Sequence, residues 1–226
     1  MSAVSDSYRV IFVNGLRNEK WHAEDHARRL SVGRIAVEPK YNPGMWSADE
    51  TVPALANRIC EIIEQGRNLL LVLHSHGAFV GYQALDSLRP SWNWYLKNFV
   101  TVIACGGATL IPDTFAKAVK NYQHVDDTTA GFGLIVYGSW FDTTYANNPQ
   151  LAAANGITVH HLKHPVSDPH EFQAAYLPSA ISEKLNFEKF MIAEEEQRKP
   201  WIVKAFAKLK QKIKNLFTSK NQYVNM

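Results

Sequence analysis

The chain has 226 residues with a formal net charge of +3; 46% of them are hydrophobic and 20% charged. That length and apolar content exclude a mostly disordered chain and suffice for one domain with a real core, and no run approaches the ~20 apolar residues of a membrane-spanning helix. The two cysteines, Cys60 and Cys105, make no disulfide framework, and Met1–Asp6 lacks the basic and apolar regions of a secretory leader, so a reducing, cytoplasmic setting is expected.

Taken in order, Tyr8–Val13 (YRVIFV) is a short apolar run closed by Asn14-Gly15, a strand followed by a turn. Gly33–Glu38 is a second extended stretch, ended by Pro39. Tyr41–Trp46 is rich in breakers and reads as a loop. From Val52 to Gln65, apolar residues at helical spacing predict a helix stopped by Gly66. Leu69–Leu73 is a continuous apolar run of the kind found in a strand buried on both faces. A helix is expected over Ala78–Leu88, strands over Phe99–Ala104 and Gly133–Tyr137, a helix over Asp113–Asn121, and a sixth strand over Ile157–Leu162. Such alternation predicts an α/β domain over residues 1–197, a mainly parallel sheet of about six strands flanked by helices.

In open parallel sheets the chemistry lies beyond the carboxyl ends of the strands. The third apolar run leads straight into His74-Ser75-His76-Gly77 and then a helix. A serine on such a tight turn is lifted out of the sheet, and the backbone N–H of His76 at the helix start would face a developing oxyanion. His74-Ser75-His76-Gly77 resembles the nucleophile elbow of the α/β-hydrolase superfamily of serine esterases, lipases and thioesterases. The likeness extends over roughly residues 8–185. In the G-x-S-x-G pattern Leu73 stands where the family has a small residue, and its bulk is expected to crowd the elbow.

The resemblance implies a minimal α/β-hydrolase fold with Ser75 as nucleophile. It also implies an acid after the next-to-last strand, where Asp142 follows Gly133–Tyr137; Asp113 is the alternative. For the base, His160 and His161 fall within a strand and point to opposite faces, whereas His164 stands at the strand end. His170 is better placed, because Asp168-Pro169-His170-Glu171 has the residues of a helix start with Asp168 as cap, which puts His170 in the first helical turn. The second oxyanion donor would be the N–H of Leu16, in the turn after the first strand.

A metal pair at His74 and His76 lacks the usual ligand spacing, Cys105 reads as a buried thiol, and no nucleotide-binding loop occurs, so no metal or cofactor is expected. Charge separates sharply along the chain. From Arg198 onward there are eight Lys/Arg and no acid, leaving sixteen basic residues against twenty-one acids on the rest. Residues 198–226 predict a basic amphipathic helix and tail. Ile202, Phe206, Leu209, Ile213 and Phe217 lie at helical spacing opposite Lys204, Lys208 and Lys212, with Trp201 at the start. That pattern suits an anionic membrane surface and argues against nucleic acid as partner. The sequence thus points to a serine hydrolase of a carboxylic ester or thioester, with a small-molecule or lipid substrate and peripheral membrane contact. The alternative is a non-catalytic module of the same fold that binds a membrane or a protein partner.

Overall fold

The computed structural model describes residues 7–15, 19–43, 48–127, 149–154 and 156–197. The chain divides into two compact units, Met1–Glu188 and Lys189–Met226. In the first unit the elements run β1 (Tyr8–Val13), α1 (Lys20–Leu30), β2 (Val37–Lys40), α2 (Ala48–Glu64), β3 (Asn68–His74), α3 (His76–Phe99), β4 (Val100–Cys105), β5 (Ala118–His124), α4 (Pro149–Ala154) and β6 (Val159–Leu162). A π-helical turn at Phe172–Tyr176 then leads into α5, residues 177–188. Of the second unit, residues 189–197 are described, and they are helical. The predicted basic helix at 198–226 lies outside the described residues.

Six strands form one sheet in the order β2-β1-β3-β4-β5-β6, and every pairing is parallel. Parallel neighbours need crossovers, and right-handed crossovers fix which face each helix covers. The chain steps one way from β1 to β2, then back across β1 to β3, so α1 covers one face while α2 and α3 cover the other. Side chains alternate accordingly. Ile11, Val13, Leu69, Leu71, Leu73, Val100 and Val102 pack with Leu55, Ile59 and Ile62 of α2 and Ala84 and Leu85 of α3. On the opposite face Phe12 meets His26 of α1 and Phe172. Full burial of β3 on both faces explains why Leu69–Leu73 is an unbroken apolar run.

Pro39 lies within β2 rather than ending a strand. An edge strand tolerates it, because its missing N–H costs no ladder bond on the outer side. The larger departure is at 113–124. Asp113–Phe115 is a single 3-10 turn, and Ala118–His124 is the strand β5, where a helix over Asp113–Asn121 was expected. The inward side chains of β5 include Asn121 and Gln123, which are polar. Asn121 holds the backbone N–H and carbonyl of Ile111 and the carbonyl of Thr158, so this strand is buried against loop backbone and shows no apolar run. The strand expected at Gly133–Tyr137 lies outside the described residues.

A buried ion pair ties α5 to the approach to β2. Lys184 Nζ, fully buried, donates to Glu188 and to the carbonyl of Val32, while the Glu188 carboxylate accepts from the N–H groups of Arg34 and Ile35. Gly33 in the left-handed region (φ 104°) lets the carboxylate approach, since a Cβ there would meet Glu188 Oε2 at 2.4 Å. Removing one partner leaves an uncompensated buried charge. Lys184→Met is expected to cost about 3–5 kcal/mol in urea unfolding, well beyond the roughly 0.5 kcal/mol of an ordinary surface change.

Candidate active site

The order β2-β1-β3 reverses direction at β1, so the crevice where a ligand enters such a sheet opens beyond the ends of β1 and β3. Gly15 follows β1 there, and Ser75 follows β3. Ser75 has φ 53° and ψ −123°, the one positive φ outside glycine among the described residues. Such a conformation costs roughly 1–3 kcal/mol and persists only where its surroundings hold it. The end of β4 does so. Ser75 N–H donates to the Cys105 carbonyl at 3.1 Å, and the Ser75 carbonyl accepts from Ala78 and Ala108, both at 3.0 Å.

The turn also needs room. A Cβ on Gly15 would lie 2.6 Å from Ser75 Cβ, and one on Gly77 would lie 2.4 Å from the Val13 carbonyl oxygen. Leu73, expected to crowd the elbow, is fully buried without doing so. Its side chain occupies the space above Gly81 of α3, where a Cβ would meet Leu73 Cδ1 at 2.4 Å. The missing volume has moved from the strand to the helix.

His170 reaches the serine from beyond β6, with its Nε2 2.9 Å from Ser75 Oγ. Its Nδ1 faces both oxygens of Asp127, at 3.0 and 2.9 Å. Because a carboxylate only accepts, Nδ1 carries the proton and Nε2 is left to accept from the serine hydroxyl. The Asp127 side chain is fully buried, in a turn closed by its N–H on the His124 carbonyl just past β5. Asp142 lies outside the described residues; the carboxylate beside His170 is Asp127. Asp113 stands elsewhere, accepting from the N–H and hydroxyl of Thr158. Asp127 carries no apolar-strand signal in the sequence, because the strand before it, β5, buries the polar Asn121 and Gln123.

His170 sits just before the helix rather than in its first turn. Asp168 Oδ1 accepts from the N–H groups of His170 and Glu171, while Glu171 caps the helix by accepting from Ala174. The His170 carbonyl is turned instead to His74, whose Nε2 donates to it at 2.9 Å. His164 contributes its own carbonyl to His124 Nε2, and His160 and His161 lie within β6. His76, predicted as an oxyanion donor, opens α3, so its N–H lies at the positive end of that helix. Leu16 lies outside the described residues.

His76 Nδ1 accepts from the Asn42 amide at 2.8 Å. Asn42 is latched to Asn14 through its N–H on the Asn14 side-chain oxygen, also at 2.8 Å, which ties the ends of β1 and β2 to the elbow. His74 and His76 therefore face separate partners. Among the described residues no group of three or more His, Cys, Asp or Glu could hold a metal ion.

Burial, then the neighbouring His170, lowers His74 to about 3, and burial lowers His76 to about 4. His26 is lowered too, chiefly by burial. The unfolded chain takes up these protons below the ordinary value of 6.5, whereas the folded chain cannot until pH 3–4. Stability is thus full above pH 6.5 and lost on acidification. Urea midpoints should fall from pH 6.5 to 4, with the folding equilibrium weakening roughly tenfold per pH unit for each histidine that stays neutral. An unchanged midpoint over that range would contradict their burial.

The exchange of volume between Leu73 and Gly81 has its own signature. Gly81→Ala should destabilise by about 1–3 kcal/mol although alanine is the better helix former. That penalty should vanish in a Leu73→Ala background, measured as a double-mutant cycle of unfolding free energies.

No family model and no curated protein sequence matches the chain. Among solved structures it is similar to a Trichoderma reesei cutinase in complex with a phosphonate inhibitor, at 15% identity over 56% of this chain, with a TM-score of 0.40. The match spans 66% of the cutinase, just under two thirds of its length. It is also similar to a candidate hydrolase of the α/β superfamily from Xanthomonas campestris, at 14% identity over 84% of this chain and 99% of that one, with a TM-score of 0.38. Such low scores add nothing about chemistry. With its all-parallel sheet, a serine elbow after β3, and an aspartate and a histidine following in chain order, the chain has an α/β-hydrolase fold.

Proposed function

We propose that the protein is a serine hydrolase that cleaves a carboxylic ester or thioester through an acyl-enzyme on Ser75. The observation that supports this most is His170 bridging Ser75 Oγ and the buried Asp127 carboxylate at hydrogen-bond distances. A serine hydroxyl is a weak nucleophile, and an imidazole of fixed tautomer is what activates it. His170 Nε2 takes the Ser75 proton as Oγ bonds the acyl carbon. The oxyanion is held by the His76 N–H, with Leu16 N–H as the proposed second donor. The carbon–oxygen or carbon–sulfur bond to the leaving group then breaks, and that group receives the proton from Nε2. Water, deprotonated by the same nitrogen, attacks the acyl carbon, and collapse releases the acid with the proton returned to Oγ. Asp127 orients the ring throughout and stabilises the imidazolium.

A fluorophosphonate probe tests the reading without knowledge of the substrate. The wild type should label stoichiometrically, and Ser75→Ala should abolish labelling. Asp127→Asn should slow it by on the order of 10⁴-fold, while Asp142→Asn keeps the wild-type rate. A wild type that does not label favours a non-catalytic binding module instead. An ester chain-length panel then separates small esters from lipid acyl chains.

Among the described residues no helix is long and apolar enough to cross a membrane. The proposal for Trp201–Phe217 is peripheral: a basic amphipathic helix lying in an anionic interface, each lysine adding roughly 1 kcal/mol. The full chain should float with vesicles containing phosphatidylserine, and a chain truncated after Lys199 should not. Equal flotation of the two rejects the tail as anchor.

A further inference from the structure

The Asp127 carboxylate has a second partner besides His170. Tyr176, fully buried in the π-helical turn that follows the histidine loop, donates its hydroxyl to Asp127 Oδ2 at 2.6 Å. The direction of that bond is fixed. The tyrosine oxygen already accepts from the backbone N–H of His124, the last residue of β5, at 3.1 Å, so its single proton goes to the carboxylate. Burial, and then the charge of Asp127, raise the phenol far above its ordinary value, which keeps it a donor. The backbone makes room for the pair. Gly106, at φ 54° after β4, would carry a Cβ within 2.9 Å of the Tyr176 ring and hydroxyl and 3.0 Å of Asp127 Oδ2.

We propose that Tyr176 is a positioning residue of the hydrolase site, holding the Asp127 carboxylate against His170 and drawing off part of its negative charge. This rests on the reading of Ser75, His170 and Asp127 as the reacting groups. A carboxylate sealed from water and held by one donor fewer pivots more readily and binds the imidazolium more tightly. The phenol pins one oxygen and lowers the basicity of the carboxylate, so the imidazole gives up its proton more readily to the leaving group. The order of donors is then His124 N–H to Tyr176, Tyr176 O–H to Asp127, and His170 Nδ1–H to Asp127 from the other side.

Among the described residues, His74, Cys105 and His124 also face this centre. From β3, His74 donates to the His170 carbonyl and stays neutral down to about pH 3. From β4, burial pushes the Cys105 thiol up, so it carries no charge there. From β5 and its turn, His124 uses its ring nitrogens on the His164 carbonyl and the Asp126 N–H.

The test is the rate of fluorophosphonate labelling of the full chain against pH. Tyr176→Phe should slow labelling about tenfold or more and move the acid limb of the profile to higher pH by about half a unit or more, because a carboxylate that has lost this donor stabilises the imidazolium more. In an Asp127→Asn background the same substitution should add no further loss. A slower rate with an unmoved limb means a structural role alone and overturns the inference, as does an additional loss in the Asn background. If Tyr176→Phe does not fold, 3-fluorotyrosine at 176 keeps the shape and donates more strongly. It should move the limb to lower pH, and an unmoved limb overturns the inference. A wild type that does not label overturns the underlying hydrolase reading as well, whereas labelling with the limb unmoved in the variants overturns the role of Tyr176 alone.

Discussion

The site depends on one strained residue. Ser75 adopts a backbone conformation that side chains avoid, at the point where the most buried strand of the sheet becomes the helix that covers it. Neighbouring backbone supplies what that turn requires: a carbonyl from β4 for its N–H and two N–H groups for its carbonyl. At three positions around the crossing even a Cβ is absent. Gly15, Gly77 and Gly81 each mark a direction from which another chain segment or side chain presses in. The rest of the chemistry is arranged around an oxygen whose position the backbone has already decided.

Electrically the surroundings are quiet. His74 and His76 flank the serine in sequence, and both are driven neutral by burial. In that state each has one ring nitrogen for accepting and one for donating, and each uses a nitrogen to hold another part of the site, His74 the carbonyl of the base and His76 the latch to Asn42. Among the described residues the formal charge at the centre is the Asp127 carboxylate, which accepts from an imidazole and a phenol. A lone buried anion is costly unless hydrogen-bonded, and here the bonds from His170 and Tyr176 also orient those rings.

How far the sequence revealed this depends on the element. β1, β3 and β4 were legible because a strand covered on both faces is apolar along most of its length, and Ser75 was legible because a serine between such a strand and a helix has few other reasons to be there. His170 was legible from the turn chemistry of Asp168, although its helix begins later, since its carbonyl is bonded across the fold to His74. Asp127 was not legible. The strand that presents it turns Asn121 and Gln123 inward, and polar residues that satisfy loop backbone leave neither an apolar run nor an apolar alternation to read. Tyr176 gave no signal either, because its partner is 49 positions away.

The pairing of Leu73 with Gly81 bears on how such sites are found. What the elbow demands is a certain emptiness between strand and helix, and either wall can supply it. A search that scores each position by itself rejects this chain at the first letter of the motif. A search that adds the bulk of the two facing residues accepts it, and would equally accept other chains that have traded the same methylene groups across the gap.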